Sequence, residues 1–218
     1  EIYNWNGSNW IQKGNDIEGL SSERLGHSIS LSANGNKIII GAPYLDIARV
    51  YKWNGVIWNQ LGNDFTGLNV GEFFGWSVAI NNDGSIISIG SPNYYDQMTT
   101  GSVSSFKWDG SNWNQLGQKI EGYSGNIGQF QGNRFGQSVD LSSNGNILIV
   151  GDDRDDGTSN ATDNDNGKSF IYKLIGNNWT LISEHIGEGN VDLSGYSVTI
   201  SGNGNIAGVG APKNDGNG

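Results

Sequence analysis

The sequence predicts an all-β fold made of four copies of one four-stranded antiparallel unit, and three observations carry that expectation. The first is self-similarity. YKWNGVIWNQLGNDFTG from Tyr51, followed by FGWSVAINNDGSIISIGSP, returns in variant form from Tyr3, Phe106 and Tyr172. A period of about fifty residues is the length of one supersecondary unit that cannot bury its faces without neighbours. The second is strand-sized apolar alternation inside every unit. The third is composition, because 35 glycines against 3 prolines in 218 residues supply many tight turns, while 8 Trp, 8 Tyr and 7 Phe supply a core.

Within a unit the elements follow in order. In FGQSVDLS, Phe135, Gln137, Val139 and Leu141 share one face and Gly136, Ser138, Asp140 and Ser142 the other, a bulky and a small side suited to a wedge between neighbours. Asn144-Gly145 then signals a two-residue type I′ hairpin, echoed at Asn34-Gly35, Asp83-Gly84 and Asn203-Gly204. The next run, as in Ile38-Ile39-Ile40-Gly41-Ala42, is apolar on both faces and reads as a strand buried on both sides. A third strand ends in Tyr-x-Trp, and after an Asn-Gly turn the fourth is opened by Trp10, Trp58, Trp113 or Trp179. These tryptophans are expected to pair across the hairpin and pack unit against unit, with ligand stacking as the alternative.

Four antiparallel strands per repeat, stacked around an axis, make a β-propeller blade. A linear β-solenoid is the competing arrangement, but its parallel strands would not use a hairpin in every unit. The chain therefore reads as one domain over 1–218, with units starting near 3, 51, 106 and 172. Residues 1–14 supply the two strands missing from the last unit. Tyr3 to Trp5 are expected to pair with Ile206 to Gly210, within one chain or from a neighbouring copy, closing the ring and removing an open edge.

Charge narrows the function. With 12 Lys+Arg against 22 Asp+Glu the formal net charge is −10, which repels a phosphate backbone and argues against nucleic acid as a partner. The absence of cysteine excludes disulfides, thiolate metal sites and thiol catalysis. No apolar run approaches the roughly 20 residues of a membrane-spanning helix, so membrane insertion is not expected. The sequence opens on Glu1, which fits either removal of a leader or an excerpt from a longer protein.

The recurring Phe-Gly-x-Ser-Val and Gly-Ala-Pro, at Phe74-Gly75, Phe135-Gly136, Gly41-Ala42-Pro43 and Gly210-Ala211-Pro212, resemble the FG-GAP repeats of integrin alpha-subunit propellers. The resemblance spans essentially the whole chain. It implies an extracellular or cell-surface propeller used in adhesion and ligand recognition. Many such propellers have seven blades, so four units are either a small ring or part of a larger one. The chain departs from that family at its calcium loop. LSANGNKI, INNDGSII, LSSNGNIL and ISGNGNIA stand where an Asp-x-Asp-x-Asp-Gly turn would be, with at most Asp83 as a carboxylate, so calcium is not expected there.

Catalytic signals are weak. Gly-x-Ser recurs at Gly26, Gly75, Gly136 and Gly195, but Ile or Val follows Ser, so no nucleophile elbow forms. His27 and His185 lie in different units with no acid at a recognisable spacing. Gly202-x-Gly204 sits in a hairpin and is no dinucleotide fingerprint. No motif supports an enzyme, and no cofactor is required. The third unit carries an insertion, GDDRDDGTSNATDNDNGKSF, whose Asp152, Asp153, Asp155, Asp156, Asp163 and Asp165 are hard oxygen donors for Ca²⁺, with a solvated, metal-free acidic loop as the other reading. Three N-x-[ST] matches, at Asn6, Asn160 and Asn178, are near chance in so Asn-rich a chain.

Successive connections of an up-and-down blade alternate between two ends. The turns at one end are short and nearly identical in every unit. Those at the other differ in length and content, and varied loops on a rigid scaffold are where binding residues concentrate. The ligand-binding expectation therefore falls on Tyr44, Tyr94, Tyr95, Tyr123 and Phe130 as aromatic anchors, with the variable residue of each Gly-x-Ser, His27, Trp76, Gln137 and Tyr196, nearer the axis. The function expected is an extracellular module that binds a protein or glycan. The alternative is a structural subunit whose copies exchange terminal strands into a filament.

Overall fold

A computed structural model describes residues 1–93, 100–122, 133–155 and 165–216. The chain is all-β in antiparallel sheets, and among the described residues its helix is limited to one 3₁₀ turn at Pro43–Leu45. It opens with the hairpin β1 (Tyr3–Trp5) and β2 (Trp10–Gln12). The first sheet has the order β3 (Ser28–Leu31), β4 (Lys37–Ala42), β5 (Ile47–Trp53), β6 (Trp58–Gln60), with β7 (Phe65–Thr66) also on β5. The second repeats it with β8 (Ser77–Ile80), β9 (Ile86–Ser91), β10 (Ser102–Trp108) and β11 (Trp113–Gln115), and β12 (Ile120–Glu121) pairs with β10. The third holds β13 (Ser138–Leu141), β14 (Ile147–Asp152), β15 (Lys168–Ile175) and β16 (Asn178–Ile186). A final pair, β17 (Ser197–Ile200) and β18 (Ala207–Gly210), completes the described chain.

The sheets pack through their first strands, β3 on β8, β8 on β13 and β13 on β17, and the cores lie between sheets. Ile39, Ala48 and Val50 of the first sheet meet Val78, Ile80, Ile87 and Ile89 of the second. Ala79 and Val103 of the second meet Val139, Leu141, Leu148 and Val150 of the third. The second strands of the three larger sheets, β4, β9 and β14, are buried nearly throughout, as their two-sided apolar sequence requires.

The FG and GAP residues are the contact between sheets. Ser28, Ser77 and Ser138 each donate Oγ–H across to the carbonyl of a glycine in the next sheet, Gly75, Gly136 and Gly195, at 2.7–2.8 Å. The penultimate glycine of each of the second strands β4, β9 and β14 lies under that same carbonyl, so a Cβ on Gly41 would sit 1.9 Å from the Gly75 oxygen and one on Gly151 1.9 Å from that of Gly195. Only a residue without a side chain fits there. The tryptophans link sheets too. Trp53 and Trp108 pack on Trp58 and Trp113 across their hairpins at 5.5 and 5.3 Å. The indole N–H of Trp58, Trp113 and Trp179 donates to the carbonyl of Lys13, Leu61 and Leu116 in the preceding unit.

Two expectations are corrected. The Asn-Gly hairpins are not type I′, because only the glycines Gly35, Gly84, Gly145 and Gly204 take positive φ, at 61–74°. Asn34 instead accepts the Asn36 amide through Oδ1 while Ser32 N–H pairs with Lys37 C=O, giving a four-residue turn closed by side chains. Of the two ways expected for Tyr3 to Trp5 to pair with Ile206 to Gly210, the one within a single chain is not made: among the described residues β1 pairs with β2 and β18 with β17. Residues 1–14 instead stand beside the first sheet, where Lys13 lies over Trp53 and Trp58.

Candidate functional site

The loop end of the sheets is built on one turn used four times. His27, Trp76, Gln137 and Tyr196 each donate their amide to the carbonyl three residues back, at Arg24, Phe73, Arg134 and Leu193. The glycine inside each turn donates its amide to the carbonyl of the glycine near the end of the second strand of its own unit, Gly41, Gly90, Gly151 or Gly210. Arg24, Phe73 and Leu193 take left-handed φ of 52–57° to begin the turn. The backbone so holds the variable residue of Gly-x-Ser at the head of each first strand, and because first strands pack on one another these residues form a row.

At the junction of the first and second sheets the row becomes an aromatic cluster. The His27 ring lies 4.3 Å from that of Trp76, Trp76 meets Phe73 edge-on at 5.8 Å, and Phe73 meets Tyr44 edge-on at 5.6 Å. The Arg24 guanidinium sits 3.8 Å over the Tyr44 ring. Phe73 is buried and anchors the group, Trp76 is half-buried, and His27, Tyr44 and Arg24 are exposed. Burial, and then the Arg24 charge, lower the His27 pKa, so at neutral pH the imidazole is uncharged against the indole. Beside this cluster Asp46 accepts the amides of Gly71 and Phe74, which fixes the second-sheet loop on the first.

The structure therefore gathers three of the nine expected ligand residues, His27, Trp76 and Tyr44, into one surface. Gln137 is buried, and Tyr196 is exposed farther along the row. Tyr94, Tyr95, Tyr123 and Phe130 lie outside the described residues. Sequence reading missed Arg24 and Phe73. The signal for them was positional, since both stand two residues before the glycine of the repeated turn.

The described part of the acidic insertion lies at the same end of the third sheet. Asp152, Asp153 and Asp155 are buried, so the solvated-loop reading does not describe them, while Asp156 and Asp163 lie outside the described residues. Asp152 Oδ1 accepts the Arg134 amide at 2.7 Å, and Asp155 accepts Lys168 Nζ at 3.0 Å. Asp165 accepts Arg154 Nη1 at 2.9 Å, and Arg134 Nη1 stands 3.7 Å from Asp153. Burial, and then the neighbouring Asp155, push the Asp152 carboxyl well above the usual carboxylate range; burial raises Asp153 as well. Asp152 Oδ2 and Asp153 Oδ1 are buried with no hydrogen-bond partner among the described residues. Even so, three cations thread this set, and among the described residues no group of three or more metal-ligating side chains is arranged to hold one ion.

A separate open groove of about 550 Å³ lies between the β1–β2 hairpin and Trp53, lined by Asn4, Ile11, Lys13 and Gly14. It sits away from the aromatic row, and its Lys13 ammonium is already bound to Gly35 C=O and Asn36 Oδ1, which leaves little convergent chemistry for a ligand.

No family model matches the chain, and no curated protein matches it in sequence. Among solved structures it is similar to the hydrazine synthase of Kuenenia stuttgartiensis, with a TM-score of 0.56 and 10% identity over 84% of this chain and 49% of that one. The chain thus spans about half of that protein's length, and at such identity the likeness concerns fold alone. Among the described residues no helix is long and apolar enough to cross a membrane.

Proposed function

We propose that this chain is a non-enzymatic binding and adhesion module of the β-propeller type, extracellular or at the cell surface, whose sheets are blades and whose loop end meets a protein or glycan. The observation that carries the reading is the contiguous surface of Arg24, Tyr44, Trp76 and His27 over buried Phe73. Flat aromatic faces beside a cation suit the apolar face of a sugar ring or the hot spot of a protein partner. The FG-GAP resemblance is supported by the packing of Gly41, Gly90 and Gly151, near the ends of their second strands, under the carbonyl of the next sheet's Phe-Gly glycine or its equivalent, which gives those motif residues a physical reason. The charge of −10 favours neutral or basic partners over acidic ones.

An array of glycans and matrix proteins probed with the labelled chain and with a Tyr44→Ala/Trp76→Ala variant tests the reading. The variant is expected to lose at least about tenfold in signal, as for a hot-spot pair, while melting close to the parent. Equal signal from both chains would remove the cluster from the site, and failure of the parent to bind any probe would remove the binding reading.

A further inference from the structure

Asn-Gly pairs occur in the chain in two settings that differ at one atom, the glycine amide nitrogen. In such a pair that nitrogen is the nucleophile nearest the Asn side-chain carbonyl carbon, and glycine puts no side chain in the way of its approach. Gly35, Gly145, Gly167 and Gly204 each donate the amide to a backbone carbonyl, at Ser32, Ser142, Asp155 and Ser201, at 2.7–2.9 Å. Gly55, at the tip of the β5–β6 hairpin, donates its amide to no group among the described residues. It takes φ of 104°, is exposed, and has nothing within 4 Å of where a Cβ would stand. Gly145 by contrast is buried and Gly35 half-buried. The electrophile is prepared in both settings. Asn54 Oδ1 accepts the amides of Val56 and Ile57 at 2.8 and 2.9 Å, as Asn34 Oδ1 accepts the Asn36 amide and the Ser32 hydroxyl at 3.0 Å each. Donors on Oδ1 stabilise the negative charge that it gains when Cγ is attacked. At Asn54 the nucleophile is free as well, and Asn6-Gly7 in the β1–β2 hairpin repeats this turn.

We propose that Asn54-Gly55 is a self-modification site, where the backbone itself converts the asparagine to aspartate and isoaspartate, and that the bonded Asn-Gly pairs are held inert by their hydrogen bonds. The Gly55 nitrogen gives its proton to solvent and forms a bond to Asn54 Cγ. The bond from Cγ to the side-chain nitrogen breaks, and ammonia leaves with a proton taken from water, which closes a five-membered succinimide. Water then adds to one of the two ring carbonyls. Opening at Cγ restores the main chain and leaves an aspartate; opening at the backbone carbonyl leaves isoaspartate, with one methylene added to the main chain. In sum water replaces ammonia, and no oxidant or cofactor takes part. The aspartate product fits the turn, because Asp109 occupies the equivalent place in the second sheet and accepts the Ser111 and Asn112 amides at 2.8 and 2.7 Å. Isoaspartate lengthens the tip between Trp53 and Trp58, whose rings pack across that hairpin and of which Trp58 Nε1–H bonds Lys13 C=O in the preceding unit. The site lies at the hairpin end of the sheets, away from the Tyr44–Trp76 surface, and stands independently of the binding reading.

Ageing of the folded parent chain in mildly alkaline buffer, beside a sample unfolded in urea, tests the proposal when the amide-to-acid mass change is followed by peptide mapping. In the folded chain Asn54 is expected to convert at least about tenfold faster than Asn34, Asn144 and Asn166, the factor for one hydrogen bond broken before attack. In urea, where those bonds are gone, the rates are expected to converge. Peptides converted at Asn54 are expected to accept a methyl group from an isoaspartyl methyltransferase, and the converted chain to melt below an Asn54→Asp variant that itself melts close to the parent. No conversion at Asn54, conversion of Asn34 or Asn144 as fast as Asn54 in the folded chain, a rate order unchanged by urea, or acid at Asn54 without isoaspartate would each overturn the proposal.

Discussion

The two ends of the sheets solve the same problem, how to turn the chain, with opposite freedom in their side chains. At the hairpin end the solution barely varies. Ser32 with Asn34, Ser142 with Asn144 and Ser201 with Asn203 make the same side-chain contact, and Asn81 with Asp83 plays that part in the second sheet. Those turns are also stitched into a line, with Ala33 N–H on Asn82, Asn82 N–H on Ser143 and Ser143 N–H on Gly202. At the loop end the backbone repeats as strictly, but the residues it presents are His, Trp, Gln and Tyr, and the second-to-third connection changes from Ala42-Pro43-Tyr44 to Asp152-Asp153-Arg154. Since backbone and Ser–Gly links hold the sheets together, exposed loop-end side chains such as His27, Tyr44 and Tyr196 are not needed for that link, and it is there that the proposed recognition surface lies.

The contrast can be broken most violently at the inter-sheet glycines. Gly90→Ala puts a Cβ 2.2 Å from the Gly136 oxygen, with backbone on the other side of the clash, and is expected to cost about 3 kcal/mol or more, read by urea denaturation. A loss below 1 kcal/mol would mean that the sheets are not held this closely. Ser77→Ala, which leaves the Gly136 carbonyl buried without its 2.7 Å donor, is expected to cost about 1–3 kcal/mol in the same measurement.

A smaller and pH-dependent effect belongs to the acidic insertion. With its pKa raised in the fold, Asp152 keeps a proton that the unfolded chain has released, so its contribution to stability falls as pH rises through the folded pKa. Asp152→Asn retains an acceptor for the Arg134 amide without that charge. Its stability is therefore expected to gain on the parent progressively as pH rises above the ordinary carboxylate range, whereas a constant gap would contradict the burial assigned to the carboxyl. The smallest effect is expected from calcium. Because Arg134, Arg154 and Lys168 already neutralise the described carboxylates, added Ca²⁺ should move the melting temperature by less than about 2 °C, and by RT ln(1 + [L]/Kd) a shift of several degrees would require a real site involving the rest of the insertion.

Much of the hairpin end was legible because glycine, serine and strand periodicity report backbone directly. Gly35, Gly145 and the run Ile38 to Ala42 do in the fold what their residue types announce, although the asparagines act through side chains where a positive φ was expected. The candidate site was legible only in part. Trp76 and His27 stood out as the odd residue in a repeated frame, but left-handed backbone at Arg24 and Phe73 is written in no residue preference, and their approach to Tyr44 depends on how two sheets meet.

The loop end is the proposed binding surface, and the indole resonances test that most directly. Of the eight tryptophans, Trp58, Trp113 and Trp179 have their N–H groups locked to backbone carbonyls between sheets, while Trp76 stands half-buried in the loop-end cluster. In a ¹H–¹⁵N titration with a glycan or matrix protein retained by the array, the Trp76 indole signal is predicted to shift with saturation while the three locked signals stay in place. Movement of Trp58, Trp113 or Trp179 with a stationary Trp76 would contradict the account.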